Sequence, residues 1–214
     1  MSQIKLVVFD MDGTIIEPKS SWAMIHDHFG TDNTEMLQMY IDHNISDEDF
    51  VKADINLWNS KSGVPVNEEY INSILDKAKP RKGAEELITS LHEANIKTVI
   101  LSGGIQYLAD KWAKEWNMDD ALANDLIDDK NGNLTAIIKS SGHNKGPVME
   151  KMIEKYNFKK NEIAAVGDTV VDIPTFERAG LSIAVNTEDE RVISRANYHL
   201  RGDLTELKSL ILNW

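Results

Sequence analysis

Ile4-Lys5-Leu6-Val7-Val8-Phe9-Asp10-Met11-Asp12-Gly13-Thr14 is the stretch that decides the fold. It begins as a short apolar run rich in β-branched residues, stops at a carboxylate and turns at Gly13-Thr14. A run of this kind, bounded by a Gly-containing turn, predicts a buried strand followed by a loop. Strands with little polar alternation suit parallel sheets covered on both faces.

Downstream the pattern repeats. Residues 98–101, 163–166 and 181–185 read as further strands, the first stopping at Ser102-Gly103-Gly104 and the second at Gly167-Asp168. Between them, apolar residues recur at helical spacing. Ala84, Leu87, Ile88 and Leu91 form one stripe, Ile105, Leu108, Ala109, Trp112 and Trp116 another, and Val148, Met149, Met152, Ile153 and Tyr156 a third. Phe176 and Ala179 suit a helix after the Gly167-Asp168 loop, and Leu204, Leu207, Leu210 and Ile211 a closing one. Residues 121–127 and 134–138 flank Asn131-Gly132, a strong hairpin signal. Strands alternating with helices predict an α/β fold with a mostly parallel sheet.

One block departs from this rhythm. Residues 20–78 are polar, poor in strand-like runs, and carry apolar residues near a 3.6 spacing, as at Met36, Met39, Tyr40 and at Ile71, Ile74, Leu75, Ala78. Three or four helices fit, separated near Gly30-Thr31-Asp32-Asn33, Asn44-Ile45-Ser46 and Gly63-Val64-Pro65. The block reads as a helical insert.

Composition narrows the classes. Acidic residues outnumber basic ones, 35 to 23, giving a net charge of -12 that disfavours nucleic acid and anionic membrane as partners. The absence of cysteine removes disulfide and thiol chemistry. No apolar run reaches membrane-helix length, and the start Met1-Ser2-Gln3-Ile4-Lys5 lacks the layout of a secretory signal, so a cytoplasmic protein is expected.

Three expected strands end in polar, Gly-containing loops: Asp10-Met11-Asp12-Gly13-Thr14, Ser102-Gly103-Gly104 and Gly167-Asp168-Thr169-Val170-Val171-Asp172. Open α/β sheets hold ligands at the carboxyl ends of their strands. Two carboxylates two residues apart, Asp10 and Asp12, can divide labour between nucleophile and proton carrier. Asp168 and Asp172 bring more carboxylate to the same edge, and such a cluster repels itself unless a cation sits within it; oxygen ligands suit magnesium. Each Asp taken alone also reads as a turn or cap residue.

The ordered set resembles the haloacid dehalogenase-like phosphatase superfamily, in its phosphoserine phosphatase-like branch. The Asp10-Met11-Asp12-Gly13-Thr14 core, Ser102 in Ile100-Leu101-Ser102-Gly103-Gly104, Lys145 in His143-Asn144-Lys145-Gly146-Pro147, and Gly167-Asp168 with Asp172 carry the likeness. It implies a Rossmann-like three-layer α/β/α core over residues 1–15 and 79–214, with a small helical cap over 16–78. It implies Mg2+-dependent hydrolysis of a small phosphorylated metabolite. Asp10 would attack phosphorus and Asp12 would protonate the leaving alkoxide and then activate water. Thr14, Ser102 and Gly103 would lie at the phosphoryl group, Lys145 would neutralise charge, and Asp10, Asp168, Asp172 and the Asp12 carbonyl would serve the Mg2+.

Three departures bear on substrate. Lys19 stands where phosphoserine phosphatases commonly have Glu, no Arg occurs between Asp12 and Arg81, and Thr169 and Val171 replace a Gly and an Asn of the fourth motif. Lys19 is the insert residue best placed to meet an anionic substrate, with Trp22, His26, His28, Lys52 and Trp58 as further pocket candidates. A halide-releasing hydrolase on the same scaffold, or an aspartyl-phosphate switch without turnover, are the competing readings.

Overall fold

The structure, a computed structural model, describes residues 4–42, 44–141 and 144–214. Met1-Ser2-Gln3, and His143 of the third motif, lie outside the described residues.

Strand β1 (Leu6–Phe9) is followed by four helices, α1 (Ser21–Phe29), α2 (Thr34–Ile41), α3 (Asp47–Ser62) and α4 (Glu68–Leu75). After them come α5 (Ala84–Glu93), β2 (Lys97–Ile105), α6 (Gln106–Glu115), β3 (Asp120–Asp128) and β4 (Leu134–Ile137). The chain continues through α7 (Lys145–Tyr156), β5 (Ile163–Gly167), α8 (Ile173–Phe176), β6 (Leu181–Val185), α9 (Glu190–Ile193), β7 (Tyr198–Leu200) and α10 (Leu207–Asn213).

The sheet has seven strands in the order β4-β3-β2-β1-β5-β6-β7, parallel except for the β3–β4 hairpin. The expected mostly parallel α/β sheet is therefore present. β1 lies at its centre with β2 on one side and β5 on the other, so the strand order reverses direction there. Alternate β1 side chains face opposite layers, as a period of two requires. Val7 and Phe9 join the cluster containing Leu87, Leu91, Leu108 and Leu207, whereas Leu6 and Val8 join Met149, Met152 and Phe176. Both faces are covered, which is why β1 carries no polar alternation. Among the described residues no helix is long and apolar enough to cross a membrane.

The helices between β1 and α5 are set by local signals. Ser20, Ser46 and Asn67 accept hydrogen bonds from N–H groups in the first turns of α1, α3 and α4, and Gly30 and Gly63 end α1 and α3 in the left-handed conformation. Helix α1 packs on α3 and α4 and also touches β2; α3 touches β4, and α4 touches β3. Ile25, Trp58 and Ile71 thus share one buried cluster with Ile105 and Leu108 of the sheet layers.

Two sequence expectations change. β2 does not stop at Ser102 but runs on through Gly103 and Gly104 to Ile105, with a register irregularity against β3. Gly104 serves close approach rather than a turn: a Cβ there would stand 2.6 Å from Asp12 Oδ2. Short β7 and α9 lie where the sequence offered no strand or helix reading, because a three-residue Tyr198-His199-Leu200 strand shows no usable period.

Candidate active site

The carboxyl edge at the centre of the sheet collects the loops. The Asp10 N–H donates to Val166 O at 2.8 Å, extending the β1–β5 ladder by one bond and fixing where Asp10 emerges. Gly13 turns the chain at φ +73, and a Cβ there would meet Asp168 Oδ2 at 2.2 Å, so both conformation and space demand glycine. Arg81 Nη2 donates to Gly13 O at 2.6 Å and braces the turn from the other side. Thr14, fully buried, donates its hydroxyl to Asp168 Oδ1 at 3.2 Å.

Asp10, Asp168 and Asp172 offer carboxylate oxygens within 4.8 Å of one another, all buried. Lys145, the first residue of α7 and 2% exposed, donates to Asp10 Oδ1 at 2.7 Å and to Asp172 Oδ1 at 2.5 Å. Asp172 Oδ2 accepts from the N–H groups of Asp168 and Thr169, both at 3.0 Å, so this side chain also closes the loop after β5. A Cβ on Gly167 would collide with Asp172 Cγ at 2.3 Å.

Burial pushes the Asp10 carboxyl well up, against Lys145, while Asp172 and Asp168 push it further the same way. Burial, then the Asp172 carboxylate, push Asp168 up to about 7. Burial alone would pull the Lys145 ammonium down, but Asp10 and Asp172 hold it well above its usual range. These directions agree once charges are counted. Three carboxylates face one ammonium, which leaves the cluster with excess negative charge. The excess of two negative charges and the all-oxygen donor set fit a divalent cation such as Mg2+.

Asp12 stands apart from that trio. Its Oδ2 accepts from both the N–H and the hydroxyl of Ser21, each at 2.7 Å, while Oδ1 is buried without a hydrogen-bond partner. Burial raises its pKa and the two Ser21 bonds oppose the rise.

A cavity of about 400 Å3 opens beside these groups, within the range of small-molecule sites. Asp10, Asp12, Ser102 and Gly103 line its sheet side; Lys19, Trp22, His26, Tyr40, Asp47 and Phe50 line its helical side. Buried Ser102 accepts from Gly104 N–H at 3.1 Å and does not cap α6, whose N-cap position is Ile105. Trp22 donates Nε1–H to Gly103 O at 3.1 Å. Of the other insert candidates, His26 reaches the cavity, whereas exposed His28 lies 3.1 Å from the Tyr70 hydroxyl. Lys52 lines a different groove between α3 and β4, and Trp58 is core, fully buried and bonded to His26 Nδ1 at 3.2 Å.

Three structural residues escaped the sequence reading: Ser21, Arg81 and Asn124. Asn124 donates to Gly103 O at 2.9 Å and to Ser140 O at 2.8 Å, and accepts from Lys139 and Ser140 N–H, tying the Ser102 loop to the segment after β4. No sequence signal singled out Asn124, since Asp125 stands beside it in the same strand.

The acid cluster lies at the switch point of the sheet, where open α/β folds hold ligands. The chain belongs to the haloacid dehalogenase-like hydrolases, whose family model matches residues 4–180. Within that superfamily it falls in the phosphoserine phosphatase-like branch of phosphatases. It is 31% identical over 189 residues to a phosphoserine phosphatase of Archaeoglobus fulgidus, covering 86% of this chain and 53% of that one. The chain thus spans about half the length of that relative. A phosphoserine phosphatase of Campylobacter jejuni subsp. doylei is 27% identical over 212 residues, covering 97% of this chain and 98% of the other. A solved phospho-aspartyl intermediate analogue of phosphoserine phosphatase superposes with a TM-score of 0.79 at 25% identity, covering 97% and 99%. A substrate-bound phosphoserine phosphatase complex, 24% identical over 97% and 98% of the two chains, has the same TM-score and supports the fold.

Proposed function

We propose that the protein hydrolyses a small phosphomonoester through an aspartyl-phosphate on Asp10, with Mg2+ at Asp10, Asp168 and Asp172. The observation that carries this is the buried carboxylate trio with Lys145 set between two of its members. An Asp anion approaching an anionic phosphate must overcome like-charge repulsion. The cation supplies positive potential at the phosphoryl oxygens when bound. Lys145 holds Asp10 in place and balances its charge, Ser102 offers a hydroxyl at the cavity wall, and Asp12 passes a proton to the leaving oxygen and then takes one from water. Residues 16–78 act as a cap on a core of 1–15 and 79–214, closing the cavity over the reacting group.

Two observations bear on the leaving group. Lys19 and Asp47 supply one cation and one anion to the same cavity, which suits a phosphorylated amino acid, the substrate class named for the relatives. The wall of Trp22, Leu37, Tyr40 and Phe50 instead favours an apolar body. The halide-releasing alternative would leave Asp12 and the cation-binding carboxylates without a task, and a switch without turnover would leave the large helical insert and the proton-carrying placement of Asp12 without one.

The test is phosphate release from a panel containing phosphoserine, 2-phenylethyl phosphate and p-nitrophenyl phosphate with Mg2+. Wild type should turn over members of the panel and Asp10→Asn should not. Equal rates for the two proteins would sink the reading.

A further inference from the structure

Asp12 has one oxygen fully engaged and one not. Ser21 sits at the first position of α1, where its N–H lacks an intrahelical partner and the helix end favours an anion. Both that N–H and the Ser21 hydroxyl donate to Asp12 Oδ2 at 2.7 Å. The hydroxyl in turn accepts from Ile105 N–H at 3.1 Å, so its own hydrogen points at Asp12. The chain Ile105 N–H, Ser21 O–H, Asp12 Oδ2 has a fixed direction. An oxygen receiving two donors has no room for a proton of its own. Asp12 Oδ1 is buried without a partner, and Asp12 lines the cavity.

We propose that Ser21 is a positioning residue: it clamps Asp12 Oδ2 and so assigns Oδ1 as the atom that exchanges the proton with the leaving group. The inference rests on the phosphomonoesterase reading above. In the first step the Oδ1–H bond breaks and its proton goes to the leaving-group oxygen as the P–O bond breaks. In the second, Oδ1 takes a proton from the water whose oxygen bonds to phosphorus as the bond to Asp10 breaks. The clamp belongs to the insert rather than to the sheet. Trp22, the next residue, donates to Gly103 O at 3.1 Å, so the first turn of α1 grips both the Asp12 loop and β2. The acid–base group is thereby registered against the helix that covers it.

The experiment compares two esters. 2-Phenylethyl phosphate has a poor leaving group that needs the proton, and p-nitrophenyl phosphate has a good one that does not. Ser21→Ala should lower kcat on the first by about 10- to 100-fold with KM nearly unchanged. The pre-steady-state release of p-nitrophenol should fall by less than about threefold. Ser21→Thr, which keeps the hydroxyl, should restore most of the loss. In an Asp12→Asn background Ser21→Ala should add less than about twofold, because the two act as one unit. Gly104→Ala leaves Ser21 intact but places a methyl 2.6 Å from Asp12 Oδ2 and 2.7 Å from Ser21 Oγ, and should reproduce the selective loss even if Ser21→Ala folds poorly. Equal losses on both esters, or additive losses in the double variant, overturn the inference and leave the phosphatase reading standing. A wild type inactive on both esters overturns the phosphatase reading and this inference with it.

Discussion

Replacing Asp168 by Asn should stabilise the metal-free protein at alkaline pH while abolishing turnover. Burial and the neighbouring Asp172 carboxylate push Asp168 from the usual 3.8 up to about 7. In that window the native state holds a proton that the unfolded chain has released. Stability therefore falls as pH rises from about 4 to about 7, and above that the full cost of the buried charge is present. A rise of about three pH units, at about 1.4 kcal/mol each, puts the cost at roughly 4 kcal/mol. Asn keeps the shape and the acceptor for the Thr14 hydroxyl, now at 3.2 Å, but carries no charge. Exchanging an acceptor oxygen for an amide N–H donor in a pocket shaped for a carboxylate offsets about 1–3 kcal/mol of that. A net gain of about 1–3 kcal/mol remains. Urea unfolding in EDTA at about pH 5 and about pH 8 reads it out, because the wild-type side chain is neutral at the first and charged at the second. The variant should be the more stable protein at the higher pH, with the difference shrinking or reversing at the lower. Mg2+ should raise wild-type stability at the higher pH far more than that of the variant. An Asn variant less stable than wild type at about pH 8, or a difference unchanged between the two pH values, would refute the reasoning.

Lys145→Ala should destabilise the protein by about 3–5 kcal/mol, since it leaves Asp10 and Asp172 buried against each other without their ammonium. Thermal unfolding in EDTA checks this, and phosphate release should be lost in the same variant. Phe50→Asn removes one ring of the Tyr40–Phe50 stack, centroids 4.9 Å apart, from the cavity wall. It should raise KM for 2-phenylethyl phosphate about tenfold if that wall seats the leaving group, whereas an unchanged KM would point instead to Lys19 and Asp47.

Much of the architecture was legible because the physics behind it is local. The apolar run to Phe9, the Leu108, Ala109 and Trp112 part of the helical stripe and the Asn131-Gly132 hairpin each announce themselves within a few residues, and each has its counterpart in the structure, although Ile105 ends β2 instead of opening the helix. The strand through Ser102-Gly103-Gly104 was misread because two glycines look like a turn in sequence. The need for a glycine at 104, room for Asp12 and Ser21, depends on a loop some ninety positions away. The candidate site was readable as residue types at strand ends. The resemblance already grouped Asp10, Asp168 and Asp172; what the sequence did not show was that Ser21 leads the Asp12 side chain away from them. Asp10 and Asp12 are two positions apart yet have different partners, and only the placement of α7 and α1 separates them. Ser21 is the first residue of α1 beside the N-cap Ser20, and nothing in the sequence separates the two adjacent hydroxyls.

The central place of β1 also governs when the site comes into being. Leu6 pairs with Lys97 on one side and with Ile163 on the other, and the Asp10 N–H has its acceptor at Val166. During synthesis the first strand therefore waits for the last third of the described chain before its second edge is filled. At ribosomal speed that wait is roughly 8 to 30 s. Throughout it Asp10 has neither its ladder bond nor the Asp168 and Asp172 carboxylates beside it. The Asp10 ladder bond and the neighbouring Asp168 and Asp172 carboxylates therefore arrive together, in the late docking of β5.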